Sequence, residues 1–278
     1  MLEYTFRFRT RLPRVAALVE DLLCSFRIPP VAGSPTYDVV DDHQPWSRYA
    51  AYLEGQSVRE YDSLEPVLDY LFWHINREAI TSVTKCVVVH AAAASWEEDG
   101  VLMPAPMDSG KSTLVAGLTA AGFSYLSDEA APLDPATGRL HPYPKPIWLE
   151  RGSVEALPGL LNALSSKWGR RLGDRYHVRP EELSPVSTGS QCRVGYVIVP
   201  SYEAGSPTSL EPMSRAQGLL SLTQSCFNFG RFGKTGLALL SDVVTGARCY
   251  RLRMGDLESA VRAVADLVDH RTITASRR

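Results

Sequence analysis

Residues 105–113, Ala105-Pro106-Met107-Asp108-Ser109-Gly110-Lys111-Ser112-Thr113, follow the strand-like run Val101-Leu102-Met103-Pro104 and end in Gly-Lys-Ser-Thr. A tight loop between a strand and a helix start aims backbone N–H groups and a lysine ammonium at phosphate oxygens. In such a loop Gly110 lets the backbone approach the phosphates. Lys111 neutralises the β and γ oxygens, and the Ser112 hydroxyl completes the oxygen shell of a Mg2+ ion. The chemistry expected of this segment is binding of ATP or GTP. Two positions depart from the usual pattern. Ala105 stands where its first glycine belongs, and Asp108 adds a carboxylate beside the phosphates while tolerating left-handed backbone. These departures predict nucleotide binding that is weak or that leans on Mg2+.

Asp128 and Glu129 follow Lys111 by 17 and 18 positions, room for one helix and one returning strand. That spacing puts both carboxylates at the carboxyl end of the strand beside the loop, where ligands of α/β sheets collect. One carboxylate there can hold Mg2+ together with Ser112; the other can accept the proton of an attacking hydroxyl. The competing reading is a polar turn at Ser127-Asp128-Glu129. His90 ends an apolar strand 21 positions before Lys111, and a histidine so placed is either structural or catalytic. Arg231 and Lys234 lie in a glycine-bracketed segment after Phe227-Asn228-Phe229. They read as a mobile basic loop that clamps phosphate or docks the acceptor, or equally as exposed surface. Lys145 is held between Pro144 and Pro146, with no target identified by the sequence.

The elements that must position these residues divide into two textures. Tyr4, Phe6 and Phe8 alternate with polar residues as in a half-buried strand, and Val15, Leu18, Val19, Leu22, Leu23 and Phe26 repeat at helical spacing. Short strands are expected near 37–40 and 49–53. An amphipathic helix follows through Leu64, Leu68, Leu71 and Ile75, with Asp62 and Glu65 as its capping pair. From Lys85 buried strands alternate with helices: a strand 86–90, a turn at Gly100, a strand 101–104, the loop, and a helix closing at Gly122. Strands at 123–126 and 194–199, a helix near 154–164, a capped helix from Ser214 and Gln217, and a final strand and helix complete the pattern. The expected fold class is therefore α/β, with residues 1–82 a small N-terminal α+β domain and 83–278 a P-loop domain.

At 278 residues, with 45% hydrophobic and 22% charged residues, the composition is that of an ordinary globular protein. A net charge of -2 gives no global electrostatic case for nucleic acid or anionic membrane. No apolar run reaches membrane-span length and the first residues lack a signal-peptide core, so a cytoplasmic location is expected. The five cysteines are scattered without metal-ligand spacing and read as reduced core residues.

The order of strand-ending His90, the glycine turn, V-L-M-P-A-P-M-D-S-G-K-S-T-L and A-G-F-S-Y-L-S-D-E resembles the catalytic domain of the bacterial HPr serine kinase/phosphorylase family. It looks most like the shorter HPr-kinase-related proteins of peptide-modification systems. H-P-Y-P-K-P-I-W-L, S-C-F-N-F-G-R-F-G-K-T-G and C-Y-R-L-R-M-G-D-L extend the likeness over about residues 85–268. The resemblance implies ATP and Mg2+ as cofactors, nucleotide contacts at Gly110, Lys111 and Ser112, and catalytic work at Asp128, Glu129 and His90; beside it, the residues themselves make the whole loop 105–113 the expected nucleotide site, Ser112 and Asp128 the expected metal contacts and Arg231 a further catalytic candidate. The resemblance also implies an acceptor serine on a peptide or small protein, and homo-oligomers. The family carries two aspartates where this chain has Asp128-Glu129, and loops richer in glycine. Those departures keep two alternatives in view: a kinase of free amino acids, and a nucleotide-binding scaffold without turnover.

Overall fold

The computed structural model describes residues 2–44, 47–185 and 188–275. In chain order the elements are β1 (Arg7–Thr10), α1 (Pro13–Leu23), β2 (Thr36–Gln44), β3 (Ser47–Leu53), β4 (Gln56–Tyr61), α2 (Leu64–Thr81), β5 (Val87–Trp96), β6 (Asp99–Pro104) and α3 (Lys111–Ala120). There follow β7 (Ser124–Ser127), β8 (Ala130–Leu133), β9 (Ile147–Glu150), α4 (Arg151–Glu155), α5 (Leu160–Ser165), β10 (Arg171–Leu172), β11 (Arg175–Val178), β12 (Arg193–Tyr202), β13 (Ser209–Pro212), α6 (Arg215–Gln224), α7 (Phe229–Gly246), β14 (Arg248–Met254) and α8 (Leu257–Ala275).

The chain forms two compact units. One contains residues 2–83 and 148–179; the other contains 84–147 and 180–278. The change of texture near residue 84 is thus a unit boundary, but 148–179 groups with the N-terminal residues instead of the sheet that follows it. The N-terminal unit has a four-stranded sheet in the order β1-β2-β3-β4, with β1 parallel to β2 and the other pairs antiparallel. Val15, Leu18 and Leu22 of α1 and Leu64, Leu68 and Leu71 of α2, each set at helical spacing, form one core with Tyr37, Val39 and Ala51. Leu172 from the returning segment enters the same core, which is why that segment belongs there. Ser63, not Asp62, is the N-cap of α2, and it makes no side-chain cap bond.

The second unit is built on a seven-stranded mixed sheet in the order β13-β14-β12-β6-β5-β7, with β8 also pairing with β5. β6, β12 and β14 pair in parallel; β5 is antiparallel to β6, β7 and β8, so β7 and β8 point the same way as β6 but are separated from it by β5, and the acid-bearing strand is not the immediate neighbour of the loop strand. The C-terminal ends of the three parallel strands are therefore Pro104, Tyr202 and Met254, and the phosphate loop leaves from one of them. Strand β5 is longer than the apolar run 86–90 predicts, because its run of alanines is buried on both faces. Gly100 lies inside β6 and not in a turn. The hairpin instead reverses at Glu97, which takes a left-handed φ of 53°. The helix expected at 154–164 is two short helices, α4 and α5, with Gly159 capping the second.

Helix α3 packs close to α8. A Cβ on Gly117 would lie 2.8 Å from both Leu257 and Val261 side-chain atoms, so a residue without a side chain sets how near the two helices come. The sheet core beneath the site is made from Val87, Val89, Ala91, Leu102, Leu126 and Ala131 of the central strands and Leu222, Leu239, Leu240 and Val243 of α6 and α7.

Candidate functional site

The loop from Ala105 to Gly110 runs from the end of β6 into the first turn of α3, whose leading residues are Lys111, Ser112 and Thr113. Ala105 is buried, Pro106, Met107 and Asp108 are exposed, and Ser109 and Gly110 are half-buried. Asp108 takes a φ of 62°, the left-handed geometry its type tolerates. Gly110 caps α3 at a φ of 85°, where a Cβ would be strained and would meet the Met254 methyl at 2.7 Å. The N–H groups of the first turn of α3 have no intrahelical acceptor, as at any helix start, so they form an anion-facing end.

The Lys111 side chain folds back over its own loop. Its ammonium donates to the Ala105 carbonyl at 2.8 Å and the Pro106 carbonyl at 2.5 Å. Burial pushes its pKa down to about 8, against the pull of Glu129, Asp108 and Asp128, which favour the charged form. The loop thus presents a cation that is held by neutral carbonyls and lies close to three carboxylates.

Asp128 and Glu129 form the bend between β7 and β8, two strands that pair in the same direction with successive stretches of β5. Ser127 holds the bend: its hydroxyl accepts from the backbone N–H of Glu129 at 3.2 Å and of Ala130 at 3.0 Å. The chain does not reverse here, so the polar turn that the sequence offers as an alternative is a bend within a line of strand that stays paired with β5. Asp128 is only 3% exposed. The Lys145 ammonium lies 2.8 Å from its Oδ1 and donates to Oδ2 at 2.9 Å, and the Tyr125 hydroxyl donates to Oδ1 at 2.9 Å. Lys145 is also 3.5 Å from Glu129 Oε2, and the Glu129 side chain is 27% exposed. Burial together with the neighbouring Asp128 charge drives the Tyr125 pKa far up, so its hydroxyl stays a donor.

Lys145 and Tyr125 were not identified as site residues from the sequence. The signal for Lys145 is its pair of flanking prolines. The Tyr143 N–H donates to the Leu126 carbonyl at 2.7 Å, so the extended segment lies along β7. The Lys145 N–H then donates to the Tyr143 carbonyl at 2.9 Å, a tight turn that delivers the ammonium to the acid pair.

His90 sits within β5, not at its end, opposite Ala130 in the ladder. Its backbone N–H donates to the Ser225 carbonyl at 2.6 Å, and the Phe227 N–H donates to the Val88 carbonyl at 2.9 Å. Asn228 ties the segment down with bonds to Val88 N–H and the Cys86 carbonyl. Phe227 is thereby set edge-on to the His90 ring, centroids 5.0 Å apart. Neither ring nitrogen of His90 has a hydrogen-bond partner among the described residues, although both are buried. Burial, helped by Lys111 and Lys145 and opposed by Asp128, pushes the imidazole pKa down to about 4. His90 is a neutral group that feels the charges of both lysines and the buried acid.

The mobile basic loop expected at 227–236 is corrected. Residues 225–228 are stitched to β5, and Arg231 and Lys234 are exposed on helix α7. Gly233, at φ 48° and ψ -120°, joins two helical pieces there. Phe229, Phe232, Leu239, Leu240 and Val243 give those pieces an apolar side, which outweighs the glycines that made the stretch read as a loop. Among the described residues, no ion pair or hydrogen bond joins the Arg231 side chain to the charged cluster.

The donor set suits a polyphosphate: an ammonium, a helix start, and the half-buried hydroxyl of Ser112. Mg2+ takes one or two carboxylates and fills its other positions with water and phosphate oxygens. Asp128 already faces the Lys145 ammonium at 2.8 Å, so a cation there competes with Lys145. Ser112, half-buried in the first turn of α3, is the oxygen donor that this pairing leaves available to the ion. Among the described residues no group of three or more His, Cys, Asp or Glu forms a self-contained metal site, and no helix is long and apolar enough to cross a membrane.

No family model matches the sequence, and comparison with curated proteins finds no match. Among solved structures, this chain is similar to the HPr(Ser) kinase/phosphatase from Coxiella burnetii at 13% identity, over 68% of this chain and 98% of that one, with a TM-score of 0.34.

Proposed function

We propose that this protein is an ATP-dependent kinase that transfers the γ-phosphoryl group to a serine hydroxyl of a peptide or small protein. The observation that carries this reading is that Lys111, at the phosphate loop that leaves β6, feels the charges of Asp128 and Glu129, which Lys145 pairs at the junction of β7 and β8 across β5. A phosphoryl-transfer site needs this combination: cations for the spreading phosphate charge and a carboxylate for the acceptor proton. The sequence resemblance to HPr serine kinases supports the same reaction class.

In this reaction the bond from the serine oxygen to phosphorus forms as the bond from phosphorus to the β,γ-bridging oxygen breaks, and ADP leaves. Bound Mg2+ supplies charge neutralisation across the phosphates. Lys111 exchanges its two carbonyl partners for phosphate oxygens, a change from neutral to anionic acceptors that strengthens its hydrogen bonds. Glu129, the more exposed of the two carboxylates, receives the hydroxyl proton. Asp128, held by Lys145 and Tyr125, keeps Lys145 fixed beside the reacting groups. The experiment is transfer of labelled γ-phosphate from Mg-ATP to serine peptides, with Lys111→Ala as the control. Nucleotide binding without any transfer would favour the scaffold reading, for which Lys145 already occupying Asp128 is the supporting observation.

A further inference from the structure

A cavity of about 430 Å3 lies beside the phosphate loop, lined among others by His90, Pro106, Val199, Gln224, Ser225 and Phe227. That volume is in the range of small ligand sites, about 300–1,000 Å3. Its position relative to a nucleotide follows from its wall. Ala105 and Pro106 line it, and their carbonyls hold the Lys111 ammonium. The lysine tip of a phosphate loop marks the β/γ end of the nucleotide, so the cavity adjoins the transferring phosphoryl group and not the nucleoside.

His90 belongs to both places. It lines the cavity, and it senses the charges of Lys111, Asp128 and Lys145. Its two buried ring nitrogens lack partners among the described residues, a standing cost that a ligand hydroxyl would remove. The rest of the lining selects by charge. No Asp, Glu, Lys or Arg lines the cavity among the described residues, and the imidazole is neutral at physiological pH. A free amino acid would carry an ammonium and a carboxylate into this space without counter-charges, which is costly. A serine inside a peptide replaces both charges with amides, which the Gln224 side chain can pair. Val199, Phe227 and the prolines suit small or apolar neighbours.

We infer that this cavity is the acceptor subsite, and that it receives a serine within a peptide whose immediate neighbours are uncharged and small or apolar, with the serine hydroxyl hydrogen-bonded to His90. The inference rests on the kinase reading for its chemistry but is tested separately from it.

The test is fluorescence anisotropy with labelled peptides carrying one central serine, flanked by Ala and Val, by Asp, or by Lys, in the presence of Mg-ADP. Phosphoryl transfer from Mg-ATP to the same peptides and to free L-serine is measured alongside. The Ala/Val peptide should bind best, with each charged peptide weaker by about tenfold or more. Phe227→Ala should weaken the Ala/Val peptide by a similar factor, and Gln224→Lys should reverse the order in favour of the Asp-flanked peptide. Retained Mg-ATP affinity reports that each variant is folded. Equal or better wild-type binding of a charged peptide, competition by free L-serine at the peptide's own concentration, an unchanged order in Gln224→Lys, or no binding of any peptide overturns the inference. The expected binding order without transfer keeps the subsite and removes the kinase reading; transfer without that order does the opposite.

Discussion

The phosphate loop and the acid bend each hold one nearly buried lysine, and the two lysines do different things. Lys111 and Lys145 are 6% and 4% exposed. Lys111 rests on neutral carbonyls of its own loop, within six residues of itself. Lys145 rests on Asp128, 17 residues away, and the ion pair is closed on the other side by Tyr125. A lysine held by carbonyls gains when an anion arrives. A lysine already neutralised by a buried carboxylate gains little, and its loss strands that carboxylate. The difference separates a ligand-binding cation from a positioning one.

The sharpest way to break that comparison is to remove each lysine in turn. Lys111→Ala should lower phosphoryl transfer by at least about 10²-fold, the cost of losing one preorganised charge-stabilising donor, with little change in Tm without ligand. Activity near wild type in a steady-state assay would end the kinase reading. Lys145→Met should instead appear first in stability. It leaves Asp128 buried without its counter-charge, at a cost of about 3–5 kcal/mol, and adding Asp128→Asn should recover part of that loss. Denaturant unfolding of the two single variants and the double variant measures the coupling; strict additivity would show that the pair is not an energetic unit.

The acid pair gives a finer test. Glu129→Gln should depress turnover while leaving Mg-ATP affinity largely intact, whereas Asp128→Asn should lower stability and turnover together, because it loosens Lys145. Equal profiles for the two variants in single-turnover kinetics and calorimetry would dissolve the division of labour.

A pH dependence follows from Lys111. Its folded pKa is about 8, below the ordinary lysine value of 10.5. The unfolded chain therefore binds more protons between those values, and this group makes the ligand-free protein more stable as pH rises from about 8 towards 10.5. Phosphate favours the charged lysine, so Mg-ATP affinity should move the other way and fall as pH rises through 8. Calorimetry near pH 8 in buffers of different ionisation heat should show proton uptake on binding, absent in Lys111→Ala. The smallest effect is expected at Asp108, where Asp108→Gly should tighten metal-free ATP by a few-fold and change Mg-ATP affinity less, since screening at this exposed position is strong. Equal ATP affinity with and without Mg2+ in the wild-type protein would remove that argument.

The phosphate loop was legible in the sequence because its determinants are contiguous: a strand, a glycine that must take positive φ, a lysine and a helix start within residues 101–120. The helices with a clear apolar period, α1 and α2, were legible for the same reason, and the Ser214–Gln217 capping box forms as its spacing predicts. Strand β4 and the division between α4 and α5 were not, since their patterns are short and interrupted. Helix α7 misled through its glycines, although its apolar positions after Gly233 carry helical spacing.

What the sequence by itself determined was the local chemistry: a phosphate-facing loop, two carboxylates one helix and one strand further on, and a histidine on an apolar strand. What only the tertiary structure decided was which groups meet. Lys145 reaches Asp128 because a proline-rigid segment lies along β7, and Phe227 faces His90 because residues 225–228 pair with β5. Those contacts join positions 17 and 137 residues apart, respectively. No local propensity encodes such a pairing: it follows from burying both faces of the sheet and pairing the backbone along β5.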